Sequence, residues 1–222
     1  MVIRGEKVKK ALLKDSIKEI KNTYKRFLSI LLMAFLGVGF FAGIRATSPD
    51  MISTIDNYYK QSNVYDIQVM STLGLTDEDV EALKQVEGVE SVSPTYTQDV
   101  EMNIGETEIV AKILCIQDDI NKVKLLEGEM PKERNECLVE KNFLQSANKK
   151  IGDTIKIEST DGDSIIVENE MKIVGTAESP MYISRERGIS SLGSGKVNYY
   201  IYVPEENINS DIYTQIDIKV LN

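Results

Sequence analysis

Between Phe27 and Ile44 the alternation of polar and apolar positions stops. The run FLSILLMAFLGVGFFAGI holds no charge and one hydroxyl, Ser29. As a helix at about 1.5 Å per residue it is about 27 Å long, close to the hydrocarbon thickness of a bilayer. A core helix keeps a polar face and this stretch has none, so the pattern predicts a membrane-spanning helix over 27–44. Before it, Leu13, Ile17, Ile20, Tyr24 and Phe27 recur at helical spacing, with Lys14, Lys18, Lys21 and Lys25 on the flanking faces. Residues 1–26 therefore read as a basic amphipathic helix able to lie among the headgroups of an anionic leaflet, or as a solvated basic tail that only sets topology. After it, 45–63 reads as a helical connector with Pro49 as an early-turn or kink residue.

From Val64 the period changes to two. Tyr65–Met70 alternates and predicts a strand. Thr76 is a candidate N-cap, followed by Asp77, Glu78 and Asp79 at the positive end of a helix whose stripe is Val80, Leu83 and Val86, with Gly88 as its stop. Val89–Ser93 and Thr95–Ile104 read as strands with Pro94 at an edge or bulge, Gly105-Glu106 as a turn, and Thr107–Ile116 as the returning strand. From Asp118 the texture is mostly β. A loop over Leu125–Pro131 precedes a strand at Glu136–Val139, a short helix at Lys141–Ala147 and a strand at Thr154–Glu158. A hairpin turn at Asp161-Gly162-Asp163, strands at Ser164–Glu168 and Met171–Thr176, and an exposed Gly/Ser loop at Gly188–Lys196 follow. Strands at Val197–Val203 and Ile212–Val220 complete the pattern. The fold class is α+β: 64–117 as the first part of an α/β core subdomain, 118–206 as an inserted β-rich subdomain packing as a small barrel or curled sheet, and 207–222 as a return strand.

Charge orients this arrangement. Nine of the 26 basic residues and three of the 35 acidic ones lie in 1–26, a net of +6; the remainder carries 17 basic and 32 acidic residues, a net of −15. Lysine and arginine beside a membrane entry point are retained inside, which places the N-terminus in the cytoplasm and 45–222 outside. The basic leader and the apolar run are both longer than those of a cleaved secretory signal. The acidic outer part is not a nucleic-acid binder.

Candidate chemistry is mostly absent. The chain has no histidine, which removes the commonest general base and imidazole metal ligands. It has no phosphate-binding loop for ATP and no Cys-x-x-Cys pair. Cys115 and Cys137 read as buried free thiols, with a disulfide between them as the alternative. Asp161-Gly162-Asp163 and Asp118-Asp119 lack the remaining positions of a calcium loop and read as solvated turns. Arg185 and Arg187, beside Glu186, read as a solvated loop cluster, and Arg45 as a residue snorkelling to the outer headgroups. Gly39 and Gly43 have the spacing that lets a second membrane helix approach, or are glycines of the kind membrane helices simply tolerate. No catalytic, cofactor or metal residue is assigned, and the chain reads as a non-enzyme.

Lys25-Arg26-Phe27-Leu28-Ser29-Ile30 through Phe40-Phe41-Ala42-Gly43-Ile44-Arg45-Ala46-Thr47 resembles the first membrane helix of permease subunits of FtsX/MacB-type ABC transporters. Gly88–Pro94 resembles the early strand of their outer core domain. Ile173–Pro180 with Tyr182–Gly188 resembles a segment common in large Gram-positive members. The resemblance implies an outer α/β subdomain carrying a β-rich insertion, a separate ATPase subunit as partner, and a second permease half or a homodimer. Membrane lipid surrounds the spanning helix. ATP hydrolysis inside would move the outer domain, for export or extraction of lipid, lipoprotein, peptide or drug. Arg45, Ser48 and Pro49 are positional candidates for coupling at the membrane exit. Such permeases have at least four spanning helices, so the resemblance also implies that the chain is the N-terminal part of a longer one. The alternative is a single-span, membrane-anchored extracellular binding or sensory module.

Overall fold

The computed structural model describes residues 14–15, 17–158 and 164–221. The N-terminal part of the amphipathic segment, including Leu13, and the turn Asp161-Gly162-Asp163 lie outside the described residues. Two compact units form, Met1–Asp56 and Asn57–Asn222.

Residues 17–22 are helical, and Thr23 links them to helix α1, Tyr24–Gln61. The predicted span and connector are thus one helix of 38 residues with Pro49 inside it and no buried residue. At about 1.5 Å per residue it is about 57 Å long, more than a bilayer core needs. Among the described residues it is the one helix long and apolar enough to cross a membrane. Its end is specified by Asn63, which takes a left-handed conformation (φ 47°). The Val64 N–H donates to the Tyr59 carbonyl at 3.0 Å and the Asn63 N–H to the Lys60 carbonyl at 3.3 Å. This is the Schellman pattern, with asparagine where glycine is usual.

The second unit contains two sheets. In the first, β10 (Tyr213–Val220) is central between β1 (Ile67–Leu75) and β2 (Val89–Thr95), all antiparallel. Alternation divides the sheet. Val69, Val92, Ile216 and Ile218 meet Val80 and Leu83 of helix α2 (Asp77–Lys84) on one face; Gln68, Gln215 and Asp217 stand on the other. Thr76 is the N-cap as predicted, and the Asp79 carboxylate accepts its N–H at 2.8 Å. Val86 departs from the expected stripe: α2 ends at Lys84, and Val86 is exposed. Pro94 sits on β2, an edge strand where its missing donor costs nothing.

The second sheet has the order β3-β4-β9-β6-β8-β5, with β7 also on β8. Its strands are β3 (Thr97–Ile104), β4 (Thr107–Cys115), β5 (Lys124–Gly128), β6 (Glu136–Glu140), β7 (Thr154–Lys156), β8 (Glu170–Glu178) and β9 (Tyr199–Val203). The Glu158 N–H donates to the Glu101 carbonyl at 2.9 Å, so β3 meets the chain just after β7 and the sheet curls on itself. Met102, Ile113, Cys137, Ile173 and Ile201 fill the interior. Helix α3 (Lys141–Ala147) adds the fully buried Phe143, edge-on to Tyr199 at 5.4 Å.

Two expectations are corrected. The loop over Leu125–Pro131 begins as a strand, because Lys124–Gly128 pairs with the half of β8 that β7 leaves free. A Cβ on Gly175 would lie 2.6 Å from the Glu127 carbonyl oxygen, so only glycine lets these backbones approach. Ser164–Glu168 is not a strand; Ile166 makes one bridge to Ile208, and the Glu168 N–H is taken by the Asn207 side chain at 2.7 Å. Strands β3 and β4 belong to the larger sheet. Periodicity identified them as strands but carries no information about which neighbour they pair with.

Candidate functional site

The polar face of the smaller sheet is where separate segments converge. Asp217 on β10 is fully buried, and its hydrogen-bond donors among the described residues are side-chain amides. Its carboxylate accepts hydrogen bonds from Asn121 Nδ2 at 2.8 Å, Gln117 Nε2 at 3.0 Å, Gln68 Nε2 at 3.3 Å and Gln215 Nε2 at 3.3 Å. Burial pushes its carboxyl above the usual range, and the amide donors pull it only partly back.

Asn121 extends the network to the end of α1. It sits at φ 54°, its Oδ1 accepts the Tyr65 N–H at 3.1 Å, and its own N–H donates to the Asn63 carbonyl at 3.0 Å. The Lys122 N–H donates to the Ser62 carbonyl at 2.8 Å, and Asn63 Nδ2 to the Asp119 carbonyl at 2.6 Å. Beside it, Lys219 Nζ binds the Val64 carbonyl at 2.8 Å and the Asp66 carboxylate at 3.1 Å. Burial works to raise the Asp66 carboxyl, but the Val220 N–H and the Lys219 ammonium outweigh it and hold the group below its usual range. The turn after α1, the start of β1, the link from β4 to β5 and the central strand β10 are thus tied through one buried carboxylate. A single displaced segment would leave amide donors unpaired in a dry site, at about 1–3 kcal/mol each.

A second buried carboxylate lies on the larger sheet. Glu140, at the end of β6, pairs with Arg187 through Nη2 at 2.6 Å and Nε at 3.1 Å, with both side chains buried. The Arg187 guanidinium also donates from Nη1 to the Ser184 carbonyl and lies 5.4 Å from the Tyr200 ring and 5.9 Å from the Tyr182 ring. Those two rings stack at 5.5 Å. Burial raises the Tyr182 and Tyr200 phenols to about 12, so both stay neutral. Arg187 is therefore not part of a solvated cluster: the loop folds back and its guanidinium finds Glu140. Arg185 does remain exposed, on a cavity of about 280 Å³ that also reaches Leu126, Lys141 and Ile183.

The other sequence candidates stay apart. Arg45 lies 6.0 Å from the Phe41 ring, and Ser48 and Pro49 are exposed helix positions. Cys115 and Cys137 are buried free thiols, and burial pushes Cys115 to about 12. Among the described residues no group of three His, Cys, Asp or Glu is arranged to hold a metal. Asp217 and Asn121 were missed because the alternation of Gln215-Ile216-Asp217-Ile218 marks the polar positions as solvent-facing. The one available signal was chemical: a Gln-x-Asp face accompanied by Asn63 and Asn121, residues suited to left-handed turns.

The family model described as the MacB-like periplasmic core domain matches residues 27–221. No curated protein matches the chain. Among solved structures, the extracellular domain of the noncanonic ABC-type transporter YknZ from Gram-positive bacteria is 13% identical with a TM-score of 0.43, covering 68% of this chain and 76% of that one. The periplasmic region of MacB from Actinobacillus actinomycetemcomitans is also 13% identical, with a TM-score of 0.42 and coverage of 69% and 67%. A domain of a putative permease protein from Porphyromonas gingivalis is 14% identical, with a TM-score of 0.37 and coverage of 72% and 70%. With the apolar run 27–44 and the mixed α/β domain both inside the matched residues, the chain belongs to the MacB-like periplasmic core domain family of ABC transporter permeases.

Proposed function

We propose that this chain couples ATP hydrolysis by a separate subunit to movement of its outer domain. The basic leader lies inside, α1 crosses the membrane among lipids, and residues 45–222 lie outside. A second permease half or a second copy pairs with it in the bilayer. The carrying observation is the network from Asn63 through Asn121 to Asp217. It joins the cap of α1 to the smaller sheet and to the β4–β5 link by short polar contacts, and a satisfied polar network rigidifies the groups it connects. A tilt or piston motion of α1 would then reach the domain as a displacement of its last turn instead of being lost at a flexible joint.

The test uses the chain affinity-purified from its native membrane. An ATP-binding subunit is expected to co-purify, and ATP to change hydrogen exchange at residues 62–66 and 117–122. Asn121→Ala is expected to retain the subunit and lose that response. Failure to recover any ATP-binding subunit, or an unchanged response in the variant, would contradict the proposal.

A further inference from the structure

The larger sheet curls until its ends meet, but it closes at a single point. Glu101 on β3 and Glu158 after β7 form an antiparallel bridge. Continuing that register would bring Asn103 opposite Lys156 and Gly105 opposite Thr154. Among the described residues no pairing occurs there. The two strands instead border an open groove of about 300 Å³, the lower end of the range for ligand pockets.

Strand alternation decides which groups face this groove. On β3, Met102 and Ile104 point to the core, and the backbone of Asn103 has the outward phase of Glu101, whose carbonyl takes the Glu158 N–H. On β7, the Ile157 N–H turns back to the Asn169 carbonyl, so Lys156 has the phase of Glu158 and faces β3. Among the described residues both walls therefore carry strand-edge N–H and C=O groups without a strand partner, the Thr154 carbonyl being bound by Lys149 Nζ at 3.2 Å. The floor is apolar: Met102, Ile104, Phe143, Ala147 and Ile155. Lys149 and Lys156 are exposed at the rim. Glu158 is also there, but Asn103 Nδ2 donates to its Oε1 at 2.7 Å.

We infer that this open seam binds an extended polypeptide segment by strand addition. The edges supply main-chain hydrogen bonds, alternate apolar side chains of the segment enter the floor, and flanking carboxylates meet Lys149 and Lys156. The occupant is a polypeptide because paired strand edges of matched phase are complementary to another strand. Its acidic flanks follow from the rim lysines, which stand on an outer region that is otherwise strongly acidic. Unpaired edges of this kind are usually blocked or covered. The site is independent of the coupling proposed for α1, and its test involves neither ATP nor a partner subunit.

The probe is a capped peptide alternating threonine and leucine with an aspartate at each end, added to the full chain in detergent micelles. Saturable binding is expected, with exchange of the Asn103 and Lys156 amides slowed about tenfold while core amides such as Ile201 are unchanged. Methylating alternate backbone nitrogens of the peptide should abolish binding without altering the protein. Lys149→Glu combined with Lys156→Glu should weaken the acidic peptide about tenfold and leave an uncharged analogue unaffected. Absence of saturable binding at millimolar peptide, equal binding of the methylated peptide, or binding that leaves the Asn103 and Lys156 amides unchanged would overturn the inference.

Discussion

Asp217 and Glu140 are both buried carboxylates, one on each sheet, and the protein accommodates them in opposite ways. Glu140 is neutralised by one guanidinium in a bidentate pair, and the partners join β6 to the loop at Ser184–Gly188. Asp217 is held by neutral amides contributed by Gln68, Gln117, Asn121 and Gln215. The ion pair is a local clasp that two residues define. The amide cage needs separate chain segments in place at once, and it reports on all of them. A clasp suits a loop held against a sheet; a cage suits a junction where separate chain segments meet.

The largest expected effect comes from breaking the clasp. Arg187→Ala leaves Glu140 buried without its partner and should cost about 3–5 kcal/mol in urea unfolding of the full chain in micelles. Replacing both partners, Glu140→Leu with Arg187→Met, should recover most of that loss, because apolar groups then replace both charges. Asp217→Ala should cost about 2 kcal/mol, and here an apolar substitute such as Asp217→Leu should not rescue, since the amide donors stay unsatisfied. Equal rescue at both places would break the contrast.

A smaller effect separates the carboxylates by pH. The folded state binds the Asp217 proton more tightly than the unfolded chain does. Its contribution to stability therefore falls as pH rises from about 3.9 through the raised folded value. Asp66 has the opposite sign: its contribution is present above about 3.9 and is lost as pH falls through the lowered folded value. Urea midpoints measured against pH for Asp217→Asn and Asp66→Asn should differ from the parent with opposite slopes. At the small end, Asp79→Ala removes an exposed cap bond and should cost about 1 kcal/mol by the same measurement.

Much of this was legible in the residues. The absence of any polar face from Phe27 to Ile44 identified the long helix, and the period-two runs found most strands. The N-cap at Thr76 and the short helix at Lys141–Ala147 were chemical signals that held. Pairing was not legible. The attachment of β5 to the half of β8 left by β7 depends on a close approach at Gly175, and the membership of β3 and β4 depends on a parallel neighbour, β9, more than eighty residues away. The same gap hid the candidate site. Asp217 reads as a solvent-facing residue of a half-buried strand until the segment carrying Asn121, far off in sequence, is folded over it. Arg187 was hidden likewise, because nothing beside it in the chain announces Glu140.

The claim on which the rest depends is that α1 crosses the membrane with its acidic domain outside. Cys115 and Cys137 are buried, so a membrane-impermeant maleimide should find little native background. Single cysteines at Glu106, on the exposed β3–β4 turn, and at Lys14, in the basic leader, provide the two sides. The account predicts that intact cells label Glu106→Cys and leave Lys14→Cys unlabelled until the membrane is opened. Labelling of Lys14→Cys in intact cells, or protection of Glu106→Cys, would contradict it.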